Sequence, residues 1–78
     1  MRNLEELLGE YNEIVQYVPE REQYITLNIL FEAYEQHKKE FGSFKDLRGH
    51  KYAIMMRQRQ DYQLDCVRKY VESKKYEE

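Results

Sequence analysis

The chain has 78 residues, of which 36% are charged, and its formal net charge is −2 at pH 7. This length suits a single domain over 1–78, and so small a chain is only marginally stable alone. The slightly acidic balance gives no general affinity for nucleic acid or membranes. With one cysteine and no Cys/His cluster, the chain has neither an internal disulfide nor a zinc site, so self-association remains as the source of added stability.

The N-terminal sequence and the overall hydropathy bear on location. No apolar run approaches the length of a membrane span, and Glu5, Glu6 and Glu10 interrupt any signal-peptide core. We therefore expect a cytoplasmic protein with no membrane association. The charges are uneven along the chain: residues 1–42 hold nine Glu against four Lys or Arg, whereas residues 43–78 hold nine Lys or Arg against six acidic residues.

The first predicted element is an amphipathic helix that begins at Leu4. Asn3 is placed to cap it, and the acidic residues of its first turn suit the helix dipole. Pro19 ends it, because proline disfavours helical geometry at the preceding residue, and also suits the first turn of a new helix. The short connection predicts an antiparallel hairpin of helices 1 and 2. One arc of about 120° holds the apolar residues: Leu4, Leu7, Leu8, Tyr11, Ile14, Val15 and Val18.

The second element contains the most apolar stretch of the chain, residues 24–34, which fits two secondary structures. Alternating apolar residues over 25–31 are typical of a strand, whereas a helical projection gives two apolar stripes. Helix-forming flanks and the lack of a partner strand favour a helix over about 20–41, with Gly42 as its C-cap. The stripe that we expect helix 1 to cover is Tyr24, Leu27, Leu30, Phe31, Tyr34 and Phe41. The second stripe, left for helix 3 or another chain, is Ile25, Ile29 and Ala33.

The segment before the last helix is the part of the chain whose secondary structure the sequence pattern determines least. Phe44 and Leu47 have helical spacing, so residues 44–48 form either a short helical turn or a loop, which ends at Gly49. The predicted fold class is therefore all-α. It is a small three-helix bundle, in which the hairpin of helices 1 and 2 packs with a long helix 3.

The third helix is predicted over residues 50–74, with a charged outer face. Its other side is unusually wide, about 200° of arc, and Arg59, Gln60 and Gln63 lie among its apolar residues. We expect that a three-helix monomer cannot bury all of this face, which indicates a partner.

Motifs for catalysis or metal binding are missing from the sequence. Cys66 lies beside Val67 in a helical pattern, which indicates a buried structural thiol rather than a nucleophile. His37 and His50 have no third ligand at metal spacing, and the glycines of 42–49 are too far apart for a phosphate loop. We expect no enzymatic activity, no cofactor and no metal.

A basic segment from residue 45 to residue 59 is a candidate site. It contains a single acid, Asp46, and the backbone N–H groups near Gly49 add to its attraction for an anion. The candidate residues for binding an anion or an acidic partner are Lys45, Arg48, His50, Lys51, Arg57 and Arg59. The alternative is a solvated loop whose charges complement the Glu-rich helix 1, in the same subunit or a neighbouring one.

The remaining apolar surface of helices 2 and 3 is a second candidate site. Methionine adapts to irregular partners and recurs on binding surfaces. The candidate residues for binding a partner or a second copy are Ile25, Ile29, Tyr52, Met55, Met56 and Tyr70. The alternative is ordinary core, formed where helix 3 packs on the second stripe of helix 2.

These patterns favour a non-enzymatic protein–protein interaction protein of regulatory, adaptor or inhibitor type that self-associates, for example as a homodimer. Small stand-alone regulators and inhibitors, including those of phages, fit this description. A nucleic-acid-binding regulator that uses residues 45–59 and helix 3 is the alternative. It is disfavoured by the negative net charge and by Asp61 and Asp65, which would face the phosphates.

Overall fold

The computed structural model describes residues 2–74, and these form three α-helices and no strand. The helices are α1 at Leu4–Ile14, α2 at Gln23–Phe41 and α3 at His50–Lys74, with one 3-10 turn at Glu20–Glu22 before α2. The prediction of a small all-α bundle is confirmed, as is the choice of helix over strand for residues 24–34. Within residues 2–74, no helix is long and apolar enough to cross a membrane.

The start of α1 follows the sequence prediction. The side chain of Asn3 accepts a hydrogen bond from the backbone N–H of Glu6 at 2.8 Å. The Glu6 carboxylate in turn accepts from the backbone N–H of Asn3 at 3.4 Å. This reciprocal pair is a capping box, which satisfies two N–H groups that the helix itself leaves free.

The end of α1 lies earlier than the apolar pattern indicates, at Ile14. Residues 15–18 form a turn in which the N–H of Val18 donates to the carbonyl of Val15 at 2.9 Å. Both valines are buried. The β-branched residues here favour a helix poorly, and Val18 precedes Pro19, so the chain leaves the helix while both valines remain in the core.

The helix α3 is the element on which α1 and α2 both pack. The backbones of α1 and α2 approach α3 more closely than they approach each other. The link from α1 to α2 is the Tyr11 side chain, whose hydroxyl is hydrogen-bonded to the Thr26 hydroxyl at 2.7 Å. The core cluster is small; its buried members are Tyr11, Val15, Val18, Leu30, Leu64 and Val67.

The buried face of α2 differs from the prediction. Thr26, Leu30, Ala33 and His37 are its buried residues. The stripe assigned to helix 1 is largely exposed instead, because α1 is short and packs on α3. Its exposed members are Tyr24, Leu27, Phe31 and Phe41. Their apolar side chains therefore remain on the surface of the described chain.

The connection between α2 and α3 is a turn rather than a helix at residues 44–48. The N–H of Leu47 donates to the carbonyl of Phe44 at 3.1 Å, which closes a single turn. Gly42 has a φ of +85°, a conformation that residues with a Cβ rarely adopt. This residue therefore ends α2 and directs the chain toward α3.

Replacing Leu64 by alanine tests the assigned core. Leu64 is buried where α1 and α2 meet α3, so we expect its truncation to lower the free energy of unfolding by about 2–5 kcal/mol. The matched control is Leu4→Ala, because Leu4 is exposed, and its change should stay within about 0.5 kcal/mol. Urea denaturation followed by circular dichroism gives both values. Equal losses for the two variants would contradict this core.

Candidate protein-interaction surfaces

A buried arginine connects α3 to the end of α2. Arg59 is only 1% exposed. Its Nε donates a hydrogen bond to Nδ1 of His37 at 2.9 Å, and its Nη2 donates to the carbonyl of Gly42 at 2.7 Å. One side chain therefore holds both the last turns of α2 and the first residue of the connection.

Two aromatic rings complete the surroundings of this guanidinium. Its Cζ lies 3.9 Å from the centroid of the Phe44 ring and 5.0 Å from that of Tyr34. Within residues 2–74, no carboxylate forms an ion pair with Arg59. The buried charge is thus stabilised by cation–π contacts, a carbonyl and a neutral imidazole. We call Arg59, His37, Gly42, Phe44 and Tyr34 the arginine clamp.

The protonation state of His37 is part of this clamp. Burial lowers the pKa of His37, and the positive charge of Arg59 lowers it further, while Glu40 partly opposes both effects. A neutral imidazole is also what the geometry requires, because Nδ1 must accept the hydrogen bond from Arg59. His37 and Arg59 therefore form a polar pair that carries a single positive charge.

The two glutamines on the same side of α3 are also structural. Nε2 of Gln63 donates to the carbonyl of Leu30 at 3.0 Å. Gln60 holds the backbone of Arg2 from both sides, accepting from its N–H at 3.0 Å and donating to its carbonyl at 2.9 Å. The polar residues within the wide apolar face of α3 thus connect it to α2 and to the N-terminal segment.

An apolar groove lies beside the clamp, between the end of α2 and the start of α3. It has a volume of about 350 Å³, and its lining residues are Phe41, Leu47, Lys51, Ile54 and Met55. Phe41 is 53% exposed and Ile54 is 42% exposed, so the groove opens to solvent. We call these five residues the C-terminal groove, after the C-terminal end of α2.

A second apolar surface lies on the other end of α2. Tyr24 and Phe31 are each 62% exposed, and Leu27 is 37% exposed. Their spacing of three and four residues places them in a row on one side of the helix. We call these three residues the outer stripe.

The predicted basic site does not form one surface. Arg59 was predicted to bind an anion or an acidic partner; it is buried in the clamp, so that prediction needs correction. Arg57 lines a depression of about 590 Å³ with Arg2 and three glutamates of α1. The others are exposed around residues 45–51: Lys45, Arg48, His50 and Lys51. For Arg57, the placement beside α1 agrees with the alternative in which these charges complement the first helix.

The predicted apolar interface residues are all half-buried: Ile25, Ile29, Tyr52, Met55, Met56 and Tyr70. Ile29 packs against the core cluster, and the Tyr52 ring meets Phe44 edge-on at 5.7 Å. The ammonium of Lys74 lies 5.6 Å from the ring centroid of Tyr70. Met55 lines the C-terminal groove. Their role in binding stays a prediction.

Two features of these surfaces differ from what the sequence pattern predicts. The outer stripe was assigned to the core, because its apolar spacing is the same whether or not another helix covers it. The clamp was missed because Arg59 stands among mixed polar and apolar residues of α3, and only its burial in the folded chain shows that it needs a specific partner. Nothing in the local sequence of His37 identified it as that partner.

No protein-family model matches the chain, and no curated protein or solved structure matches it either.

The thiol expected to be buried, Cys66, is half-buried. Within residues 2–74, no three His, Cys, Asp or Glu side chains are grouped to hold a metal ion.

Replacing Arg59 by methionine tests the clamp. The change keeps most of the side-chain volume but leaves Nδ1 of His37 and the carbonyl of Gly42 without their donor. We expect the free energy of unfolding to fall by about 2–4 kcal/mol and amide hydrogen exchange over residues 42–49 to accelerate. Arg57→Met is the matched control, because Arg57 is exposed on the same helix. If both variants behave alike, Arg59 does not hold the connection.

The lowered pKa of His37 predicts a pH dependence of stability. A histidine whose pKa is lower in the folded state contributes full stability above its unfolded pKa of about 6.5, and loses it as the pH falls toward the folded value. We therefore expect the free energy of unfolding to fall as the pH drops below about 6.5. His37→Asn keeps an uncharged acceptor and should flatten this profile; His50→Asn, at an exposed histidine outside the clamp, is the matched control. A wild-type slope in His37→Asn would refute this assignment.

Proposed function

We propose that this protein is a non-enzymatic protein–protein interaction protein of regulatory type, and that it self-associates through the outer stripe. The observation that carries the proposal is the exposure of Tyr24, Leu27 and Phe31 in one row on α2. Contiguous exposed apolar surface is typical of interaction sites. Tyrosine and phenylalanine are also enriched at the centres of protein interfaces.

The small core supports the proposal. Within residues 2–74, six buried residues form the core cluster, and several interior contacts are polar. A chain of this size gains stability when a second copy covers its exposed apolar surface. Self-association is therefore a source of stability as well as of function.

The charges of α2 favour an antiparallel arrangement of the two copies. Glu20 and Glu22 precede the helix, and Lys38 and Lys39 lie in its last turn. If Leu27 of one copy packs against Phe31 of the other, the twofold axis passes at residue 29, the midpoint between them. Antiparallel pairing about this midpoint places Glu20 of one copy opposite Lys38 of the other, whereas parallel pairing places like charges together. The resulting dimer is isologous, because each copy uses the same surface.

Sedimentation equilibrium of wild type and Phe31→Glu tests self-association. We expect wild type to dimerise and Phe31→Glu to remain monomeric, because a carboxylate in the centre of an apolar interface is poorly solvated. Leu4→Glu is the matched control: Leu4 is exposed on α1, outside the stripe, and this variant should dimerise as wild type does. A wild-type chain that is monomeric at about 1 mM would contradict the proposal.

A charge exchange tests the antiparallel geometry. Glu20→Lys and Lys38→Glu should each weaken the dimer, because each variant places like charges opposite one another at both ends. The double variant restores opposite charges and should regain most of the lost affinity. Additive losses in the double variant would exclude antiparallel pairing about this midpoint.

A further inference from the structure

We infer that the C-terminal groove is a second docking site, separate from the outer stripe, and that it binds an acidic amphipathic helix of a different protein. The groove joins residues from three parts of the chain: Phe41 from α2, Leu47 from the connection, and Ile54 and Met55 from α3. No residue of the outer stripe lines it. The two surfaces can therefore be tested independently.

The lining of the groove selects apolar side chains. Four of its five residues are apolar, and Phe41 and Ile54 expose about half of their surface. The flexible thioether of Met55 allows the groove to fit different side chains. An amphipathic helix presents such side chains at spacings of three and four residues and inserts them into a groove of this kind.

The rim of the groove selects negative charge. Lys51 lines the groove itself, and residues 45–51, which supply Leu47 to the lining, hold three Lys or Arg against one acidic residue, Asp46. All four of these charged side chains are exposed. A helix whose polar face carries Glu or Asp is attracted to this rim, whereas a basic helix is repelled.

The arginine clamp supports the groove from outside its lining: the Phe41 ring lies against the ring of His37, with centroids 4.4 Å apart. Phe44 packs on the Arg59 guanidinium and meets the Tyr52 ring, so the connection is held against α3. The hydrogen bond from Leu47 N–H to the Phe44 carbonyl then fixes where Leu47 lies. The groove is therefore preformed, which lowers the entropy lost when a partner binds.

Two other occupants fit less well. The acidic helix α1 of a second copy exposes Leu4 and Leu8, but Glu10 is paired with Arg2 and Glu6 completes the capping box. Glu13 lines the depression that contains Arg57, so Glu5 is the one carboxylate of that helix without such a contact among the described residues. Single-stranded nucleic acid binds by stacking bases on aromatic rings, and Phe41 is the one aromatic residue in this lining.

Fluorescence anisotropy with two matched peptides tests the inference. Both are 16-residue amphipathic helices with Leu and Phe on the apolar face; one carries Glu on its polar face and the other carries Lys. We expect saturable binding of the Glu peptide, at least about tenfold tighter than binding of the Lys peptide. Added salt should weaken the binding.

Groove variants locate the binding. Ile54→Asp should weaken the binding of the Glu peptide by about tenfold or more. The double variant Arg48→Glu, Lys51→Glu should bind the Lys peptide more tightly than the Glu peptide. Circular dichroism verifies that each variant is folded. The control is Phe31→Glu, which lies outside the groove and should bind the Glu peptide as wild type does. Its result separates this inference from the proposed dimer, because the groove does not depend on the outer stripe.

Four outcomes would overturn the inference. Equal binding of both peptides, or no binding of the Glu peptide by folded wild type, excludes an acidic helix. Wild-type affinity of Ile54→Asp places the site elsewhere. If a single-stranded oligonucleotide binds more tightly than the Glu peptide, and the double variant Arg48→Glu, Lys51→Glu loses that binding, the groove binds nucleic acid. If the Phe31→Glu variant associates without peptide, and adding Lys51→Glu abolishes that association, the groove binds a second copy of this chain.

Discussion

The structure depends on the burial of one positive charge. Arg59 has no carboxylate partner among the described residues, so its charge is stabilised by a neutral His37, the Gly42 carbonyl and two aromatic rings. A buried cation is tolerated only where such partners are correctly placed. This requirement fixes the position of the connection relative to α3, and thereby gives the C-terminal groove its shape.

The two apolar surfaces arise for different physical reasons. The outer stripe is exposed because α1 ends at Ile14 and packs on α3, so that part of α2 has no neighbour within the described chain. The C-terminal groove is exposed because α2 ends at Phe41 and the connection leaves Phe41 and Ile54 uncovered. A partner that covers the outer stripe would mainly stabilise the bundle, whereas a partner in the groove would contact four apolar side chains and the ammonium group of Lys51.

The candidate site could be predicted from the sequence only in part. The basic character of residues 45–59 was recognised, and four of the six predicted basic residues lie exposed at residues 45–51. Arg59 could not be separated from them, since exposed and buried arginines have the same sequence signal when apolar and polar residues are mixed on a helix. The outer stripe was found as a pattern but assigned to the core, because periodicity shows which residues share a face and not what covers it.

Local interactions determined most of what the sequence alone established: the helical class, the Asn3 cap, the start of α3 and the break at Gly42. Each depends on neighbours within a few residues, through hydrogen bonds to the backbone or the φ angle that a residue allows. The tertiary structure alone decided which side of α2 is buried, that α1 packs on α3, and that Arg59 pairs with His37. Those features join residues 22 or more positions apart, or depend on the length of a neighbouring helix, and no local pattern encodes them.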